Sequence, residues 1–200
     1  MQEWQKKGTD SKYFKKWFGN SKVVDDSGKP LIVYHGTTNM LSINKHGFRS
    51  GEIWLTDSKV VADSYQSWQK GNSQGTLPLY IKIAKPYYID AAGRKKTDST
   101  VNLGYQISSA LYEAQKKGFD GIIIKNIRDH FDRSVDIKSH TVFVVFNPEQ
   151  IKSVDNQGTF DGNNPNILAE QEIGYASDPI KITAKIPEFE KSSKDRKSVV

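Results

Sequence analysis

An α+β domain is what the sequence predicts, on three observations. Apolar, β-branched runs of strand length recur at 31–34, 53–55, 79–84, 121–125 and 142–146. Long helical periodicity is scarce, its clearest instance being the amphipathic stretch 103–117. The connections between these segments are irregular and no segment repeats, unlike the regular strand–helix alternation of a doubly wound sheet.

Taken in order, the chain begins with an arm over residues 1–22. Tyr13, Phe14, Trp17 and Phe18 fall on one face of a short helix that Gly19 and Asn20 stop. Val23 and Val24, a turn over 25–29 and the run 31–34 read as a hairpin. That run ends in Tyr34, His35, Gly36 and Thr37, a buried strand delivering polar side chains at its carboxyl end. Gly36 lacks a Cβ, so the chain there can approach a ligand closely and offer N–H and C=O to an amide. A segment with Ile43, His46 and Phe48 follows, closed by Gly47 and Gly51.

After the strand at Trp54, Ser58 is placed to cap a helix carrying Val61, Ala62, Tyr65 and Trp68 up to Gly71. The strand over 79–84 is followed by Pro86, and Gly118 stops the long helix. Between the last two strands a polar loop holds Arg128, Asp129, His130, Asp132 and Arg133. Its acidic residues and histidine read as a solvated loop rather than a cation site, and its arginines as surface residues within reach of phosphate or protein. Residues 23–167 form the expected domain body, and 168–200, polar and rich in Lys and Ser, a disordered tail.

Composition narrows the function classes. The net charge is +6, but residues 1–22 carry six Lys against two acidic groups, and 175–200 carry six basic against four acidic. The rest holds 17 of each sign, so the body lacks the net positive charge of a phosphate-backbone binder and nucleic acid is a partner for the tails at most. Neither a run of 18 apolar residues nor an apolar signal core is present, which predicts a cytoplasmic protein without a membrane partner. With no cysteine, disulfides, thiolate nucleophiles and cysteine zinc sites are excluded. The common dinucleotide, P-loop and zinc-protease motifs are absent, and no metal is expected.

His35-Gly36-Thr37, then Trp54, then Tyr65 eleven positions later, resembles the nicotinamide pocket of ADP-ribosyltransferases of the diphtheria-toxin and poly-ADP-ribose-polymerase type. Segments 17–24, 28–30, 118–124, 146–153 and 156–160 are similar to the branch found in polyvalent proteins of phages and mobile elements. The resemblance implies an ADP-ribosyltransferase fold: two small facing antiparallel β-sheets with flanking helices. It also implies NAD as co-substrate, bound by His35, Gly36, Thr37, Trp54 and Tyr65, with His35 and Tyr65 catalytic. Gly36 would grip the carboxamide, Trp54 and Tyr65 would flank the ring, and His35 and Thr37 would meet ribose hydroxyls or the amide.

Relatives commonly carry a glutamate at the start of the last strand, where this chain has His140, Thr141 and Val142. Thr141 is the candidate beside that position. Gln150 is the other, although at ~3.3 Å per residue it stands more than about 20 Å from the start of a regular strand; its simpler role is to bond the backbone of a turn. Without the glutamate, chain elongation is not expected. The expectation is a mono-ADP-ribosyltransferase that acts on a macromolecular target, a host protein, after delivery with phage or mobile-element DNA. The alternatives are a catalytically silent NAD- or ADP-ribose-binding module and an NAD glycohydrolase.

Overall fold

Val33 has no accessible surface and opens β1 (Val33–Thr37), the strand around which the sheet is assembled. The computed structural model describes residues 3–66, 71, 73–97, 102–129 and 137–168. Six further strands join β1: β2 (Ile53–Thr56), β3 (Gly75–Ile81), β4 (Pro86–Asp90), β5 (Gly121–Ile127), β6 (His140–Val145) and β7 (Ile151–Ser153). Among the described residues five α-helices accompany them: α1 (Glu3–Lys7), α2 (Lys12–Phe18), α3 (Met40–His46), α4 (Lys59–Tyr65) and α5 (Leu103–Lys116). The fold is α+β.

The sheet runs β4-β5-β6-β2-β1-β3-β7. Among the described residues the one parallel strand pair is β4 with β5, from Pro86 opposite Gly121 to Asp90 opposite Lys125. The two small sheets expected from the sequence take the form of two halves of this sheet. β1 and β3 match over five positions, Val33↔Leu79 to Thr37↔Gly75, and β2 matches β6 over four. Between β1 and β2 the register holds only at Tyr34↔Thr56. Past that pair the strands part, so the β2-facing edge of His35, Gly36 and Thr37 has no strand ladder. The split between the halves is where the cavity described below opens.

Hydrophobic burial holds the halves together despite the split. One core draws Val33, Leu79 and Ile81 from one half and Ile53, Leu55, Phe143 and Val145 from the other. Each such fully buried side chain contributes about 1.5–3 kcal/mol. A second core forms where α5 lays Leu103, Ile107, Leu111 and Ala114 on Ile122, Ile124 and Val144, the buried stripe expected of an amphipathic helix. The N-terminal arm packs through a third, aromatic cluster, in which Phe14, Trp17 and Phe18 of α2 meet Tyr80 and Phe160. Ser11 caps α2 by accepting the Phe14 N–H at 3.2 Å.

Several local expectations change. The hairpin over 23–34 is reduced to a bridge between Val24 and Pro30, because β1 gives its edges to β2 and β3. Asp25 holds the turn by accepting the N–H groups of Ser27 and Lys29. The segment around Ile43 is a helix, α3, ended at Gly47, whose φ is +78°. The sequence reading missed β4 and β7; both are edge strands, one begun by a proline and the other three residues long.

Trp68, His130, Asp132, Arg133 and the expected tail from 169 onward lie outside the described residues. Chain contacts separate Met1–Glu170 from Gln171–Val200; everything described belongs to the first unit. Among the described residues no helix is long and apolar enough to cross a membrane.

Candidate active site

Gly36 determines how closely helix and strand approach. A Cβ at this position would stand 1.8 Å from the Ala62 carbonyl oxygen and 3.2 Å from the Tyr65 Cβ. The missing side chain therefore lets α4 lie directly on β1, and that contact carries Tyr65 over the split. Ser58 starts α4 as the sequence predicts, accepting the Val61 N–H at 3.4 Å. Asp63 anchors it to β3 by accepting from Thr76 Oγ1 at 2.6 Å. The Lys59 ammonium, followed by the Thr76 hydroxyl, holds the Asp63 carboxyl below the usual carboxylate range.

His35 bridges the two halves where the ladder stops. Its Nδ1 lies 2.8 Å from the Trp54 carbonyl oxygen, and a carbonyl only accepts, so the proton is on Nδ1. Burial lowers the His35 pKa, with the Trp54 carbonyl acting in the opposite direction. The ring is thus neutral at pH 7, and Nε2 is an acceptor. Phe48 meets the imidazole edge to face at 4.9 Å, which fixes the ring plane.

His35, Gly36 and Ala62 line one cavity of about 400 Å³, together with Thr37, Trp54 and Tyr65. Thr37 is buried, and its Oγ1 accepts the Asn39 N–H at 3.1 Å, so the hydroxyl proton is what it can offer inward. Trp54 is half-buried, its backbone paired with Val144. The Tyr65 hydroxyl donates to Asp129 Oδ1 at 3.0 Å. Burial, then the Asp129 charge, raises the Tyr65 pKa far above that of an ordinary phenol, so Tyr65 remains a hydrogen-bond donor throughout the physiological range.

Neither candidate for the third motif, Thr141 or Gln150, lines the cavity. Thr141 is engaged outside the cavity: its N–H donates to Asp57 Oδ1 at 2.9 Å, while Asp57 N–H returns a bond to the Thr141 carbonyl. Its neighbour Val142 lines the cavity instead. Gln150 sits in a 3-10 turn over Pro148–Gln150, away from the cavity. Its Oε1 accepts from Phe146 and Asn147 N–H, and its Nε2 donates to the Lys82 and Asp120 carbonyls. The side chain is thus committed to backbone groups at the turn and at the neighbouring Lys82 and Asp120.

Two further residues line the cavity: Asp129, which the sequence reading assigned to a solvated loop but whose side chain is largely sheltered, and Lys96, which it passed over. Asp129 arrives through an irregularity in β5: the pairing with β6 shifts between Ile124 and Ile127, with Asn126 in the left-handed region at φ +55°. Beyond that bulge the segment 91–97 lies alongside the end of β5, through Gly93 N–H to Asn126 O and Arg128 N–H to Arg94 O. This pairing sets Lys96 Nζ 3.1 Å from Asp129 Oδ2 and 4.4 Å from the centroid of the Trp54 ring. The legible signal was position: Asp129 follows the end of β5, where Ile127 pairs with His140 at the start of β6.

The sequence that builds this cavity also matches a family model. Residues 25–160 fit the family described as ADP-ribosyltransferase in polyvalent proteins, well over half the chain. The chain belongs to this family. It carries an ADP-ribosyltransferase domain on the corresponding fold, and the co-substrate of such domains is NAD. No curated protein and no solved structure matches it. In this ADP-ribosyltransferase domain, Asp129 is the one carboxylate lining the cavity among the described residues.

Proposed function

We propose that the protein is a mono-ADP-ribosyltransferase, cleaving nicotinamide from NAD and transferring ADP-ribose to a macromolecular acceptor, a host protein. The observation that carries this reading is the convergence of His35, Gly36, Thr37, Trp54 and Tyr65 on one cavity. The residues suit a nicotinamide nucleotide. The unladdered edge of β1 offers backbone groups to a carboxamide, Trp54 and Tyr65 offer aromatic faces to a cationic ring, and neutral His35 Nε2 can accept from a ribose hydroxyl.

In the reaction the bond between the pyridinium nitrogen and the ribose anomeric carbon breaks, and nicotinamide leaves with the electron pair. The acceptor's nucleophilic atom then bonds to that carbon and loses its proton to solvent. Positive charge develops on the sugar as the bond lengthens, and a carboxylate in a cavity with little water stabilises it more than solvent does. Asp129 supplies that negative charge here, with Tyr65 orienting one of its oxygens. His35 and the β1 edge act by position, keeping ring and ribose in reacting geometry.

One observation favours a second reading, a silent binding module: Asp129 is already bonded by Tyr65 and Lys96. The test is to incubate the purified chain with NAD, quantify nicotinamide and record intact masses of the protein and of lysate proteins. Transfer gives nicotinamide release that drops about a hundredfold in His35→Ala, with a matching ADP-ribose mass gain on an acceptor. Release without any mass gain means hydrolysis. No release, combined with His35-dependent thermal protection by NAD, means the binding module.

A further inference from the structure

Lys96 is anchored at two points in the cavity. Its ammonium stands 4.4 Å above the Trp54 ring centroid and 3.1 Å from Asp129 Oδ2, while Asp129 Oδ1 takes the Tyr65 hydroxyl. The Asp129 side chain is only 14% exposed, against 35% for Lys96. An indole face beside a sheltered carboxylate is a complete site for an organic cation. In this structure the chain's own lysine fills it.

The geometry points to Lys96 as a built-in competitor: the Trp54–Asp129 site recognises the positive charge of the oxidised pyridinium ring, and that ring enters by displacing the Lys96 ammonium from Trp54. The inference rests on the NAD reading for the identity of the natural ligand, although the cation site itself does not. Two cations cannot share one indole face at contact distance without repelling each other. Every cationic ligand therefore binds against the cost of moving Lys96, whereas a neutral ring of the same shape gains nothing from Asp129. The site consequently discriminates oxidised from reduced nicotinamide nucleotide, and Lys96 sets how tightly the oxidised form is held.

The experiment uses 1-methylnicotinamide, a permanently cationic pyridinium, and nicotinamide, its neutral counterpart. Each is titrated into the full chain while the Trp54 indole N–H resonance, assigned with Trp54→Phe, is followed. Lys96→Met and Lys96→Gln, both checked for folding by thermal melting, should bind 1-methylnicotinamide about tenfold tighter than wild type, with a smaller gain for nicotinamide, which recovers the ring face but no ion pair. Adding Asp129→Asn to either should remove the excess over nicotinamide. In the wild type the Lys96 side-chain protons, shifted by the Trp54 ring current, should lose that shift as the cation is added, a readout that needs no variant.

Equal or weaker cation binding in both Lys96 variants, or an unmoved Lys96 signal at saturation, overturns the proposal. NAD is titrated in parallel. Tighter 1-methylnicotinamide binding without any NAD binding leaves the cation site standing and removes the NAD reading; NAD binding without any gain in the Lys96 variants does the reverse.

Discussion

At the level of single residues, the Trp54 carbonyl decides which nitrogen of His35 carries the proton, and burial decides that the ring carries only one. A base whose pKa is lower in the folded state than in the unfolded chain binds fewer protons when folded. Stability then rises with pH across the interval between the two values and is lost as pH falls through it. The His35 contribution is complete above its ordinary value of 6.5 and declines as the solution is acidified below it. Chemical denaturation between pH 7.5 and 5 should show this decline in the wild type and a shallower one in His35→Gln, which retains a donor for the Trp54 carbonyl but does not titrate. Identical slopes would mean that His35 is not the group being protonated. His35, Gly36, Thr37, Trp54 and Tyr65 were legible because each lies in a short pattern. Lys96 and Asp129 were not: they are 33 positions apart, and only the pairing of 91–97 with the end of β5 brings them together.

Among the elements, the contact of α4 with β1 governs the site. A methyl group at Gly36 would meet the Ala62 backbone at 1.8 Å, and a backbone carbonyl cannot rotate aside as a side chain does. Gly36→Ala should therefore lift α4 from the strand, costing about 1–3 kcal/mol of stability and moving Tyr65 out of the cavity. Urea unfolding, together with binding of 1-methylnicotinamide, checks both; unchanged stability would show that the helix shifts freely. The sequence indicated the glycine's importance on different grounds, as a close approach to a ligand. The structure adds a close approach to a helix, which only the tertiary arrangement could reveal. Strand boundaries were least legible where the side chains are neither alternating nor uniformly apolar, as in β4, with its exposed Tyr88, and in the three residues of β7. β7 includes Lys152, fully buried with its ammonium donating to the Asn164 and Asn166 carbonyls. A buried lysine in a strand contradicts the hydrophobic pattern by which strands are read. Burial lowers its pKa to about 8.

For the molecule as a whole, α+β architecture was readable from the many short apolar runs, whereas the joining of two half-sheets into one was not. Pairing order depends on contacts between segments far apart in sequence, and no local pattern says that β2 will sit between β6 and β1. The single pair Tyr34↔Thr56 is the feature with the widest reach. A seam with a single ladder pair can open locally without the rest of the domain unfolding, so its amide protons should trade with deuterated water through small local openings, well below the free energy of global unfolding. Amides of residues 121–124 in β5 and 142–145 in β6, where the ladder is unbroken, should exchange only when the domain comes apart. A ligand that spans the seam must slow the amides of Gly36, Thr37 and Leu55 together while leaving those of α5 at their former rates. Slowing on one side alone would mean that the ligand rests against one half rather than tying the two halves into one body.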